Sequence, residues 1–265
     1  MNFNENILER YLSLAPVPLA FERMLEARIY QRHSFQRPIL DIGCGEGLFA
    51  MVVFGEKIDT GIDPDQRELE RARELEAYNE LIECKGDTID KPDGHYNTIF
   101  SNSVLEHISD VEPVFREAHR LLAQGGKFYV TVPSNRFDEY SVVNQTLCAV
   151  GLRGLADKYR SFFNRFWRHY HYYTPEGWSA LAQRTGFTVS EIHSYGPKKV
   201  CLLNDFLVPF SLVSFVIKKL TNRWVLAPGL RRLVMLPVAM AGHRVLEGGD
   251  TASEGGLVFM ELTKA

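Results

Sequence analysis

The sequence predicts an α/β fold on a largely parallel sheet, with a helical segment ahead of it and a helical insertion late in the chain. Three observations carry this. Short apolar stretches alternate with helix-like stretches between residues 38 and 133. A strand runs straight into a glycine loop, LDIGCGEG at 40–47. Acidic residues then recur at successive strand ends, as Asp63 and Asp87. The 265 residues, 45% hydrophobic and 24% charged, suit one α/β domain with an insertion and exclude a mostly disordered chain. A net charge of -3 excludes a chain built wholly to hold a polyanion.

The elements follow in order. Residues 5–32 read as a helical cap, with Ile7, Leu8, Tyr11 and Leu12 on one stripe. Phe21, Met24, Leu25 and Ile29 form a second stripe after Pro16 and Pro18. Strands are expected at 38–43, 57–63, 81–87, 96–102 and 127–133, with helices at 46–54 and 65–78 between them. Ser109 and Glu112 have capping-box spacing ahead of a helix carrying Val114, Ala118, Leu121 and Leu122, and Gly125-Gly126 is expected to stop it. Such alternation implies βαβ units, with ligands at the carboxyl ends of the strands. Residues 134–173 read as loop-rich with one or two helices. Thr174-Pro175 opens a helix carrying Trp178, Leu181 and Ala182 that ends at Gly186. The last strands are expected at 187–195 and 255–264. The domain plan is a cap over 1–36, a core over 37–196 and 255–265, and a hydrophobic, basic insertion over 197–254.

Gly43, Gly45 and Gly47 are spaced G-x-G-x-G, where a dinucleotide loop has its third glycine one residue later. Glycine allows the sharp turn, and the following helix start offers N–H groups to an anion. Asp41, just ahead, would repel a pyrophosphate but suits a ligand with an ammonium group, as in S-adenosylmethionine. Asp63 lies 20 positions after Gly43, the distance of an acidic residue that accepts from ribose hydroxyls. Asp87 suits the adenine amino group, and Asn102 and Ser103 sit at the opening of the fourth strand.

With LDIGCGEG, GID, GD, SNSVLEHI and LLAQGGKFYVTVP in this order, the chain resembles the class I S-adenosylmethionine-dependent methyltransferases, within the small-molecule type 11/12 group. The segment HYHYYTPEGWSALAQRTGF at 169–187 is similar to that group as well. The resemblance implies a Rossmann-like seven-stranded sheet in order 3-2-1-4-5-7-6 with an antiparallel last strand. It implies S-adenosyl-L-methionine held by Asp41, Gly43, Cys44, Gly45, Gly47, Asp63, Pro64, Asp87, Thr88, Asn102, Ser103 and His107. Asn97 stands where the group usually has aspartate.

A sugar hydroxyl acceptor needs a general base, because it stays protonated near pH 7. The candidates are His107 in LEHI and His169 and His171 in RHYHYYTP, with His171 placed narrowly first. In an extended stretch His169, His171 and Tyr173 would share one side. No tight His/Asp/Glu cluster is visible along the sequence, so no metal is expected. The four scattered cysteines suggest neither zinc nor disulfides, and no signal peptide opens the chain, so a cytoplasmic setting is expected. No run reaches the ~20 apolar residues of a membrane span, since Asn204, Asp205 and Pro209 interrupt the longest. Residues 204–246 carry six basic residues against one acidic, and this apolar, basic stretch (201–244) suits a lid, peripheral contact with an anionic membrane, or a dimer face. The expected activity is O-methylation of a sugar, glycolipid or other lipid-linked small molecule by a monomer or homodimer, with no nucleic-acid role. The alternatives are a quinone or isoprenoid ring precursor as acceptor, and a non-catalytic cofactor-binding scaffold.

Overall fold

The computed structural model describes all residues 1–265. Helices α1 (Ile7–Leu14) and α2 (Val17–Tyr30) form the cap, and Ala15 and Pro16 separate them. The core alternates β1 (Ile39–Ile42), α3 (Leu48–Val53), β2 (Ile58–Asp63), α4 (Gln66–Leu75), β3 (Tyr78–Glu83), β4 (Tyr96–Asn102), α5 (Glu112–Leu121) and β5 (Leu122–Pro133). Then come α6 (Val142–Ala149), α7 (Arg153–Phe166), α8 (Pro175–Arg184) and β6 (Phe187–Pro197). The insertion holds α9 (Lys198–Leu207), α10 (Leu212–Thr221), α11 (Pro228–Val234) and α12 (Leu236–Val245), and β7 (Gly255–Lys264) closes the chain.

The sheet order is β3-β2-β1-β4-β5-β7-β6. Strands β1 to β5 pair in parallel, and β7 runs antiparallel between β5 and β6. Strand β1 is buried at every position, because helices cover both faces of the sheet. One core joins the cap to one face through Tyr11, Tyr30, Phe35, Phe100 and Phe259. The other packs Trp178 and Leu181 of α8 with Phe115 of α5 against Phe128 and Val130.

Several boundaries differ from the sequence reading, each for a local reason. Helix α4 stops at Leu75 because Glu76 turns left-handed, so β3 begins three residues early and Tyr78 pairs with Ile58. No capping box forms at α5: its cap position is Val111, and Glu112 instead accepts from Arg184 at 3.0 Å and from Arg116. Gly125 and Gly126 do not stop α5. The chain enters β5 at Leu122, and the glycines lie within a register shift against β4. The largest difference lies at Pro209. The helix does not break there but tightens into a 3-10 turn, Val208–Ser211, so Lys198–Thr221 runs as one 24-residue helix. With a mean hydropathy of 2.1 over its most apolar 18 residues, it is long and apolar enough to cross a membrane by length and composition, against the expectation that no segment would be.

Candidate active site

The glycine loop follows β1 with Gly43, Gly45 and Gly47 all at positive φ (78°, 51° and 77°). At Gly43 glycine is required twice over, since a Cβ there would also stand 2.4 Å from Val104 Cγ1. The N–H groups of Gly43 and Cys44 both donate to the Ile62 carbonyl at 2.9 Å, which ties the loop to β2. Asp63, the last residue of β2, accepts from the Gly45 N–H at 3.0 Å and from the Asp65 N–H at 2.8 Å. Its carboxylate therefore shapes the loop and keeps lone pairs for a ligand. Burial raises its pKa, and these two N–H groups oppose the rise.

Asp41 is buried and accepts from Tyr78 Oη at 2.7 Å. Burial pushes its carboxyl up to about 7, so a cation beside it would complete its ionisation. Asp87 and Thr88 are exposed in the turn after β3, where Gly86 packs against Ile42 and Val114 beside β1. Pro64 lies beyond the end of β2. Glu46 in the loop is held from above: Lys218 Nζ of α10 donates to it at 3.1 Å, and the Trp224 indole N–H donates as well. Lys218 also reaches Glu68 on α4 at 3.2 Å. The insertion thus roofs the loop, a contact between residues 172 apart that no local pattern announces.

Asn102 and Ser103 occupy the end of β4, and the cap engages both. Asn102 Nδ2 donates to Glu26 Oε2 at 2.8 Å, and its Oδ1 accepts from Thr131 at 3.0 Å. Ser103, at φ 54°, donates to Glu26 Oε1 at 2.9 Å and accepts from Arg23 at 2.9 Å. Fully buried Glu26 also accepts from Arg23 at 2.7 Å and from Tyr195 at 3.2 Å. The sequence reading missed this group, since the cap residues look like helix surface until packing brings α2 across the sheet edge.

Beside this network opens a cavity of about 310 Å³. Glu22, Arg23, Ser103, Glu106, His107 and His169 line it, with Asn204 and Asp205 from α9. Phe137, Phe163, Trp167, Val208, Phe215 and Trp224 supply much of its apolar wall. Environment separates the titratable groups. Burial pushes Glu106 up to about 8 and Glu22 to about 7, and holds His169 down to about 4. Burial also lowers His107.

The three candidate histidines part company here. His171 lies outside the cavity: its Nδ1 meets Tyr173 Oη at 2.8 Å and its Nε2 meets the Ile108 carbonyl at 2.9 Å. A carbonyl only accepts, so Nε2 carries the proton and Nδ1 takes the tyrosine proton, which leaves no free lone pair for catalysis. His169 does not share that side, because the Tyr170 and His171 N–H groups turn onto the Glu106 carbonyl. Its ring lies 5.3 Å from that of His107, and its Nδ1 is buried with no partner. His107 is oriented differently again. Its Nδ1 meets the Arg168 carbonyl at 3.3 Å, which puts the proton on Nδ1 and leaves Nε2 as a free acceptor.

The expectation of no metal rested on the lack of a cluster in the sequence, and folding builds two, one of His33, Glu191 and Glu261 outside the cavity and one within it. Glu106, His107 and His169 place ligand atoms within 4.8 Å of one another. The Arg23 guanidinium bears on both Glu106 and His107, and this neighbouring charge opposes a divalent cation.

The loop, with a Gly43 position that no side chain could fill and carboxylates at two strand ends, fits a cationic, hydroxyl-bearing cofactor. Replacing Asp63 by alanine is expected to weaken binding of S-adenosyl-L-methionine by ~1–3 kcal/mol. Titration calorimetry checks this, and unchanged affinity would remove Asp63 from the site.

The fold has counterparts among solved proteins. A solved protein from Thermotoga maritima, a possible histamine N-methyltransferase, superposes with a TM-score of 0.58 at 16% identity, covering 94% of this chain and 92% of that one. A putative sarcosine dimethylglycine methyltransferase from Galdieria sulphuraria gives 0.54 at 16% identity, covering 93% and 86%. At these identities the likeness shows the shared fold. Among curated relatives, a malonyl-[acyl-carrier protein] O-methyltransferase of Legionella pneumophila is 25% identical over 47% of this chain and 49% of its own length. A ubiquinone biosynthesis O-methyltransferase of Vibrio atlanticus is 29% identical over 40% of this chain and 47% of its own length. The chain thus spans about half the length of the curated relatives it matches. The family model described as a methyltransferase domain matches residues 14–192. That match takes in the second cap helix, the glycine loop and the cavity histidines, and the chain belongs to this methyltransferase-domain family, with S-adenosyl-L-methionine as its cofactor.

Proposed function

We propose that this protein transfers a methyl group from S-adenosyl-L-methionine to a hydroxyl of an amphiphilic acceptor, a sugar or other small polar head linked to a lipid. The observation that carries the reading is the cavity at the end of β4, where Glu22, Glu106, His107 and His169 share one lining with aromatic and aliphatic side chains. Bound S-adenosyl-L-methionine supplies an activated methyl group. The protein's share is to orient the acceptor, exclude water and take the proton that a hydroxyl must lose. His107 is assigned that last role: its tautomer is set by the Arg168 carbonyl, and its lowered pKa keeps Nε2 unprotonated near neutral pH. Glu106, pushed up to about 8, stays protonated beside it and serves as a hydrogen-bond donor. Glu22, near 7, is placed to accept from a second acceptor hydroxyl. Glu22 and Glu106 were not among the residues picked from the sequence, because burial alone sets them apart from other glutamates.

A phenolic ring precursor would also yield its proton to His107, and the name of the Vibrio relative supports that second reading. A methyl-labelled cofactor supplied with host extract distinguishes them. The label is expected in the organic phase, and acid hydrolysis is expected to release it as a methylated sugar. Release of a methoxylated ring moves the assignment to the phenol. Label confined to the aqueous phase overturns the lipid-linked acceptor, and bound cofactor with no transfer supports a scaffold.

A further inference from the structure

The cavity wall and the largest exposed apolar surface are two sides of one helix. Along Lys198–Thr221, Cys201, Asn204, Asp205, Val208 and Ser211 face the cavity. The other side presents Phe206, Phe210, Val213, Val216 and Leu220, with Phe210 at 71% and Leu220 at 78% exposure. Helix α11 and the start of α12 continue the apolar exposure with Leu230, Leu233, Val234 and Leu236. Single exposed apolar side chains are ordinary, but a contiguous helix face of this kind marks an interaction site.

Charge says what covers it. Between Phe206 and Leu246 there are six basic residues and no acidic one, in a chain whose net charge is -3. Lys218 and Arg231 are spent inside the protein, on Glu46 and Glu68 and on the carbonyls of Leu12 and Ala15. Lys219, Arg223, Arg232 and Arg244 remain exposed among the apolar residues. A second copy docked by the same face would set cations against cations. An anionic bilayer surface offers both a hydrophobic layer and opposite charge.

We infer that the outer face of α9–α12 lies in the surface plane of an anionic membrane. The helix does not cross it, because its inner stripe is bound to the protein: Asp205 accepts from the Val142 N–H at 2.8 Å, and Lys218 is paired at the other end. Phe215 lines the cavity and is also 40% exposed, so the cavity reaches the surface on this face. An acceptor with a lipid tail would then enter sideways from the bilayer. That last step rests on the proposed function, whereas docking itself does not.

The test is flotation of the full chain with vesicles of phosphatidylcholine alone or mixed with phosphatidylglycerol. Binding is expected to the anionic vesicles. Replacing Lys219, Arg223 and Arg232 together by glutamine is expected to weaken it about a hundred-fold. The pair Phe210→Glu and Leu220→Glu is expected to abolish it, with cofactor affinity by calorimetry unchanged as the control on folding. Failure of the native chain to float overturns the inference. So does a concentration-dependent dimer that the glutamate pair dissolves, which would make the face a contact between copies. Resistance of the cellular protein to alkaline carbonate extraction would show a crossing helix and overturn the in-plane arrangement. Loss of methyl transfer with vesicle binding intact would count against the acceptor alone.

Discussion

Replacing His107 by alanine is expected to lower the rate of label transfer into extract by about 10²–10⁴-fold, the usual contribution of a positioned general base. Cofactor affinity separates the two roles open to this residue. If His107 acts on the acceptor proton, calorimetric affinity for S-adenosyl-L-methionine stays near the native value while turnover falls. If it shapes the cofactor pocket, affinity falls with turnover. The pH profile gives a second readout. Burial holds the His107 imidazole below its ordinary value, so its base form accumulates as pH rises through a midpoint under about 6.5. Activity is therefore expected to climb on the acid side of that value, with a smaller further rise near pH 7 as Glu22 ionises. His171→Phe is expected to cost far less, because both nitrogens of His171 are already engaged, on Tyr173 and on the Ile108 carbonyl. A larger loss from His171→Phe than from His107→Ala would reverse the assignment.

Glu26→Ala is expected to be the most damaging single change to stability, at roughly 3–5 kcal/mol. Fully buried, this carboxylate accepts from Arg23, Asn102, Ser103 and Tyr195 at 2.7 to 3.2 Å. Removing it leaves three neutral donors without their acceptor and the Arg23 guanidinium with only the Glu22 carboxylate, at 3.5 Å, as a charged partner. For a chain of this size that corresponds to a fall of the order of 10 °C in Tm. Glu26→Gln keeps acceptor capacity but no charge, and is expected to fall between the two. Urea unfolding of the three proteins checks the order, and an alanine variant as stable as the native chain would show that the network carries no net stability. Because the same carboxylate holds Asn102 and Ser103 at the end of β4, the alanine variant is also expected to bind cofactor less tightly.

The sequence was most legible where function depends on backbone. A chain that must turn sharply after β1 leaves few options besides glycine, so Gly43, Gly45 and Gly47 appear as a pattern. The alternation of strands and helices likewise follows from local periodicity, and the sheet order follows from the resemblance those motifs carry. Legibility fell off where one residue's state depends on another far away. Asn204, Asp205 and Pro209 were expected to interrupt the apolar run as a span, yet a 3-10 turn absorbs the missing N–H at Pro209 and one helix continues through all three. Ser109 and Glu112 had capping spacing, but Arg184, 72 residues on, took the glutamate.

The histidines show the same division. Spacing along RHYHYYTP assigned His169 and His171 to one side, as an ideal extended strand would. Hydrogen bonds to the Glu106 and Ile108 carbonyls turned them apart, so His169 faces His107 in the cavity and His171 does not. Glu22, Glu26 and Glu106 carried no mark in the sequence, since a glutamate acquires a raised pKa or a structural role only when folding removes its water. By itself, then, the sequence determined the fold, the cofactor loop and the unusual composition of the insertion, all properties of neighbouring residues. The tertiary structure alone decided which histidine keeps a free lone pair, which carboxylates lose their water, and that one helix both walls the cavity and faces outward. Those outcomes are set by burial and by hydrogen bonds between residues distant in the chain.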